Sequence, residues 1–385
     1  MQPVKPKARV LLLALVAASC TEEPRGEGLS EGLMGSGGTS NGSSAGSQGD
    51  PATGSASEAE SGDAPGDSGD EIKLDVAAPM TGAGDGGDGE VGCAKADFLF
   101  VIDNSGSMED EQQRLVDSFP GFIATIQQTL DAQDYQVMVV DTDAAPSFGT
   151  SLTCINGECS CEPEPQCCVS LCNEGAFGMP PPPTCGGQSC DGFEPPPEGC
   201  PTTLGAGKAE DPLFEDCGFA TNDRFMTSSE PDLAAAFECA ALVGAGGDGN
   251  ERPMDAMAEA VGPLNQAGQC NAGFVRDDAI LVVTFITDES EGGSEGTPAT
   301  WKQALLDAKG GNEDAIVVLG VLGDTGLAGS QCGDEQAEDA PRLREFADSF
   351  SQGQWESVCA PNYAPFLEAA VSVIDAACDN FTPEG

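Results

Sequence analysis

Three continuous apolar runs constrain this chain more than any other feature. Phe98-Leu99-Phe100-Val101-Ile102, Ala279 to Ile286 and Ile316-Val317-Val318-Leu319-Gly320-Val321 show none of the in-out alternation of a half-solvated strand. A strand that is apolar on both faces must be covered on both, the condition of a parallel sheet layered between helices. Tyr135 to Val140 reads as a further strand. Helical spacing fills the gaps. Leu115, Phe119, Phe122, Ile123, Ile126 and Leu130 form one apolar stripe, with a kink expected at Pro120. Further helices are expected at Asp232–Leu242, Pro253–Val261, Trp301–Ala308, Arg342–Phe350 and Pro365–Ala377. This alternation predicts an α/β fold with a doubly wound, mostly parallel sheet over residues 93–385.

The residues before that domain read differently. Lys5, Lys7 and Arg9 precede a short apolar run, Val10 to Ala18, about half of what crosses a bilayer as a helix. The pattern is that of a secretory signal over residues 1–19. Its end, Ala17-Ala18-Ser19-Cys20, resembles a bacterial lipobox, which implies that Cys20 is lipidated and becomes the first residue of the mature chain. Ordinary cleavage near Ala18 is the alternative. Thr21, rather than Asp, follows the Cys; by the retention rule of well-studied enterobacteria this implies the outer membrane or cell surface rather than the inner membrane. Residues 20–92 are Gly, Ser, Ala, Asp and Glu with almost nothing to bury, so a disordered tether spanning about 45–50 Å is expected.

Setting Cys20 aside leaves sixteen of the seventeen cysteines, an even number suited to disulfides in an exported protein. Ten of them fall between residues 151 and 218, together with Pro180 to Pro183 and Pro195 to Pro197. This stretch has no apolar core of its own. It reads as a disulfide-stapled insertion within the domain, since exported thiols are oxidised and the Cys159-Ser160-Cys161 and Cys167-Cys168 spacings do not suit a zinc ribbon. If those ten pair among themselves, the remainder pair as Cys93 with Cys378, across the domain ends, and as Cys239 with Cys270 and Cys332 with Cys359.

Asp103-Asn104-Ser105-Gly106-Ser107 follows the first strand directly and gathers one carboxylate and two hydroxyls on a tight loop. In open α/β sheets ligands bind at the carboxyl ends of the strands, and such hard oxygens suit Mg²⁺, Ca²⁺ or Mn²⁺. Phe98 to Met108 resembles the metal-ion-dependent adhesion site of a von Willebrand factor type A domain, and the strand–helix order to about Cys378 fits that Rossmann-like fold. The resemblance implies a second acidic ligand after a later strand, which Asp288 of Ile286-Thr287-Asp288-Glu289 matches. It also implies a Thr on the loop entering the helix at Pro253. None is there, and counting back from Ala256 puts Glu251 in its place. Glu251 is either a ligand or an ordinary acidic complement to the helix dipole. Met108 reads as packing and Asp248 as solvated loop.

The expected metal set is thus Asp103, Ser105, Ser107, Glu251 and Asp288, with Mg²⁺ or Ca²⁺ as cofactor. The resemblance implies that the metal accepts a carboxylate from a partner protein, so a cell-envelope binding or adhesion protein is expected rather than an enzyme. The chain has no histidine, which excludes Ser-His-Asp and Cys-His catalysis. A net charge of −50 excludes nucleic acid as a general partner. Two alternatives stay open: an envelope spacer in which a metal only stiffens loops, and a metal-dependent hydrolase of unrecognised type.

Overall fold

The computed structural model describes residues 94–381 apart from 130–133, 144–152, 156–157, 162–165, 175–179, 194–197, 248–250 and 334–335. The expected signal, Cys20, the tether, Cys93 and Asp248 lie outside the described residues.

The chain opens with strand β1 (Lys95–Ile102), helix α1 (Glu109–Thr129) and strand β2 (Asp134–Asp141). Four short strands follow, β3 (Thr153–Ile155), β4 (Glu158–Ser160), β5 (Thr184–Cys185) and β6 (Gln188–Ser189), with helix α2 (Gln166–Glu174) between β4 and β5. Then come β7 (Met226–Thr227), α3 (Leu233–Ala241), α4 (Pro253–Val261), β8 (Ile280–Thr287) and α5 (Pro298–Ala308). The chain closes with β9 (Ile316–Leu322), α6 (Pro341–Asp348), β10 (Gly353–Ser357) and α7 (Ala364–Asn380).

The main sheet runs β10-β9-β8-β1-β2-β7. Every pairing is parallel except that of β2 with β7. This is a mixed α/β protein with a mostly parallel central sheet. The continuous apolar runs explain why: all eight residues of β8 and all seven of β9 are buried. Alternate residues of β1 serve opposite layers. Phe98, Phe100 and Ile102 pack with α1, α3 and α7, whereas Leu99 and Val101 pack with α4, α5 and α6. Rings knit the first layer. Phe237 of α3 stacks on Phe119 of α1 at 3.6 Å between centroids and meets Phe100 edge-on at 4.9 Å.

Helix α1 continues through Pro120, whose ring is exposed. Two features differ from the sequence expectation. Strands β7 and β10 are additional edge strands. Neither carries an apolar run: β7 has two residues, and β10 is mostly half-buried.

The second difference is the cysteine-rich insertion. Its first part is a four-stranded sheet, β3-β4-β5-β6, with α2 beside it. Disulfides Cys154–Cys159, Cys161–Cys167, Cys168–Cys185 and Cys172–Cys190 hold it, and its small core is largely sulfur, with Leu171 among the cysteines. From about residue 199 the chain belongs to the main domain. The Lys208 N–H donates to Val139 O of β2 at 2.7 Å, and the buried Asn271 side chain bonds the backbone at Gly205 and Gly207. Cys200 and Cys217 therefore meet the main domain rather than the insertion. The expected Cys239–Cys270 pairing is corrected: Cys239 bonds Cys217 and Cys270 bonds Cys200. Cys332 is joined to Cys359, and Cys378 is disulfide-bonded.

Candidate metal centre

Strand order reverses between β1 and β8. From β1 the sheet grows outward through β2 and β7, and then the chain returns to lay β8 on the other side of β1. The crevice beyond the carboxyl ends of these two strands is where ligands bind in open α/β sheets. Asp103 leaves β1 and Asp288 leaves β8 at that point. The Asp103 N–H still donates to Ile286 O at 3.1 Å, so the two strand ends are held side by side.

Asp103 is fully buried. Its Oδ1 accepts the Ser105 N–H at 2.7 Å and its Oδ2 accepts the Thr287 hydroxyl at 2.5 Å. The Ser105 and Ser107 hydroxyl oxygens lie 3.5 Å apart. Ser105 is buried, and Ser107 is exposed. Gln112, in the first turn of α1, clamps the loop by donating to Asp103 O at 3.0 Å and Gly244 O at 2.7 Å. Met108 is wholly buried in the core.

Glu251 enters from the loop before α4 and is 4% exposed. Its Oε2 accepts the hydroxyl of Thr142, the residue that follows β2, and the Arg252 N–H donates to Thr142 O at 3.0 Å. Two glycines allow the loops to close. A Cβ on Gly247 would lie 2.4 Å from Asn104 Oδ1, and one on Gly293 would lie 2.1 Å from Glu251 O.

The electrostatics are those of crowded carboxylates. Burial is the largest influence on each, and the charge of Asp103 adds to it for the others. Glu251 is pushed up from 4.5 to about 10, Asp288 from 3.8 to about 6 and Glu289 from 4.5 to about 8; Asp103 is also raised. Glu111 of α1 is raised by burial against the opposing pull of Arg114, with Asp288 adding to the rise.

Three buried carboxylate oxygens here have no hydrogen-bond partner: Glu251 Oε1, Asp288 Oδ1 and Glu111 Oε2. Such orphans are costly and call for an explanation. A divalent cation beside Asp103 would offset the crowded negative charge, and the donor set is carboxylate and hydroxyl throughout, with no nitrogen or sulfur.

The five expected residues thus gather at one end of the sheet, but Asp103, Glu251 and Asp288 do not form a tight ring. Among the described residues, the trio of acidic or cysteine side chains whose ligand atoms all lie within 4.8 Å of one another is Cys161, Cys167 and Cys168, all in disulfides. Thr142, Thr287, Asn104 and Glu111 escaped the sequence reading. For the two threonines a positional signal exists, because each stands at or just after the carboxyl end of a strand beside Asp103.

No family model matches the chain, and no curated protein matches it. Among solved structures, proximal thread matrix protein 1 from the mussel byssus is similar at 10% identity with a TM-score of 0.33. The match covers 74% of this chain and 49% of that one, about half its length. At that TM-score the likeness carries no argument.

Proposed function

We propose that this chain is an exported, lipid-anchored envelope protein whose doubly wound domain, of the von Willebrand factor type A kind, holds a divalent cation and uses it to bind a partner protein. The observation that carries this reading is the pair of orphaned, buried oxygens, Glu251 Oε1 and Asp288 Oδ1, beside Asp103 where the strand order reverses. Asp103, Ser105, Ser107, Asp288 and Glu251 are the residues that would hold the cation. When bound, it would supply positive charge to a carboxylate-bearing partner.

The protein's own residues set the terms. Thr287 and the Ser105 N–H fix both oxygens of Asp103, and Thr142 fixes Glu251. An anionic glutamate in place of a neutral hydroxyl favours Ca²⁺, whose larger shell accepts a long or bidentate carboxylate, over Mg²⁺. The disulfides fit an oxidising compartment, and among the described residues no helix is long and apolar enough to cross a membrane. Anchoring would then fall to Cys20.

Pulldown from envelope extract tests the reading. Partner recovery should be strongest with Mg²⁺ or Ca²⁺ and fall sharply in EDTA and in Asp103→Asn. Recovery indifferent to both would refute cation-dependent binding. Cys20→Ala should release the protein to a soluble fraction; retention on membranes would refute the anchor.

A further inference from the structure

A groove runs along the outside of the domain between α1 and α3. Its upper part is a cavity of about 710 Å³ whose wall includes Gln112 and Gly244, the residues that clamp the Asp103 loop. Its lower part, about 510 Å³, shares Gln113, Ala235 and Glu238 with the first and continues to Pro120. From Glu109 to Pro120 the α1 wall is about 17 Å long at 1.5 Å per residue. Volumes of this size are those of binding clefts.

The chemistry of the walls is one-sided. Six carboxylates line the two parts, Glu109, Asp110, Asp117, Asp211, Asp232 and Glu238, and neither part is lined by Lys or Arg. Among the described residues none of the six takes part in an ion pair. Elsewhere in the domain the cations are engaged: Arg276, Arg224, Lys208, Arg342 and Arg344 all pair with acids. Between the carboxylates the lining includes the apolar side chains of Pro212, Ala235, Leu242 and Ala245. Next to Pro212, Leu213 is 42% exposed, one of two large apolar side chains left in solvent among the described residues. The turn that presents it is built tightly. Asp211 Oδ1 accepts the N–H groups of Leu213 and Glu215, and Phe214 holds φ at 63°, the one non-glycine residue at positive φ among those described.

We propose that this groove docks a cationic, amphipathic polypeptide segment of the partner protein. This inference rests on the reading of the domain as a partner-binding module and names the chemistry of the partner. Lys or Arg side chains meet the carboxylates that line the groove, and an apolar side chain covers Leu213 and the apolar lining residues. The groove abuts the cation site, so a segment lying in it brings the neighbouring part of the partner to the crevice at Asp103. Charge complementarity of this kind governs encounter rate and specificity as well as affinity.

The test uses the full chain and a labelled twelve-residue peptide of alternating lysine, alanine and leucine, read by fluorescence anisotropy. Wild type should bind one peptide. Asp117→Lys with Glu238→Lys should weaken binding by at least about tenfold. Glu345→Lys with Asp348→Lys, which makes the same charge change on an exposed face of α6, should change it by less than about twofold. Equal losses in the two pairs would mean diffuse attraction to an acidic protein and would overturn the proposal, as would no binding by wild type. Spermine displacing the peptide at equal charge would also overturn it, since a small polycation would then suffice as occupant. The groove and the cation reading separate cleanly. Peptide binding should persist in EDTA and in Asp103→Asn, so groove-dependent binding by a protein that takes up no cation would sink the cation reading alone.

Discussion

Glu251 concentrates the physics of the site. One oxygen is held by Thr142 and the other faces no donor, and burial together with the Asp103 charge lifts its pKa to about 10. Asp288 at about 6 and Glu289 at about 8 share the effect. The consequence for stability has a definite sign. A carboxyl group whose folded pKa exceeds its unfolded value stabilises the fold fully below the unfolded value, and that contribution is lost as pH rises through the folded one. Metal-free protein should therefore lose thermal stability from about pH 4 up to about pH 10, the folded value of Glu251, and saturating Ca²⁺ should remove most of that loss by taking the place of the protons. Glu251→Gln in EDTA should make the fall shallower and remove the part that continues above about pH 8. Scanning calorimetry from about pH 5 to about pH 10, with EDTA and with Ca²⁺, reads all three; a metal-free melting temperature that does not fall with pH would contradict the assignment. Asp103, Ser105, Ser107 and Asp288 were legible in the sequence because a dense motif and a carboxylate at a strand end carry their own signal. Thr142 and Thr287 were not, because a lone threonine gains its meaning only from the neighbour that the fold supplies.

Helix α4 shows how an element delivers a residue. Pro253 occupies its first turn, Arg252 caps it without a side-chain bond, and Glu251 is left just outside, turned toward Thr142. The loop after β8 closes over it. Glu291 accepts from Arg342 at 2.7 Å and from the Ser294 N–H at 2.8 Å, which brings Gly293 against the Glu251 carbonyl. Gly293→Ala should force these backbones apart, cost about 1–3 kcal/mol and weaken Ca²⁺ binding through displacement of Glu251. A variant with wild-type melting temperature and wild-type Ca²⁺ affinity would show that this contact does not position the glutamate. Elements with continuous apolar runs, β1, β8 and β9, were readable from sequence because burial on both faces leaves no polar alternative. The edge strands β7 and β10 were not, since their pairing depends on neighbours more than on their own residues. The cysteine pairing failed for a related reason. Whether Cys200 and Cys217 face the insertion or the main domain depends on the path of residues 199–218 along β2, which no spacing encodes.

At the scale of the molecule, a chain of net charge −50 places the buried carboxylates of Asp103, Glu251 and Asp288 beside one another beyond the carboxyl ends of its central strands, where repulsion from the rest of the chain adds to their own. An arrangement of this kind is poor for stability alone and apt for binding a cation. The acidic α1–α3 groove beside it extends the same logic to a positively charged partner. The central claim is the first of these, that the crevice between β1 and β8 binds a divalent cation through Asp103. Isothermal titration calorimetry of the chelator-stripped chain with Ca²⁺ and Mg²⁺, on wild type and on Asp103→Asn, tests it most directly. The variant keeps the shape and most of the hydrogen bonds of the buried side chain, so circular dichroism can establish that it folds. The account predicts one cation per wild-type chain, Ca²⁺ preferred over Mg²⁺, with proton release at pH 7 and an affinity lowered at least about tenfold in the variant. A folded variant that binds as tightly as wild type, or a wild-type chain that takes up neither cation, would contradict it.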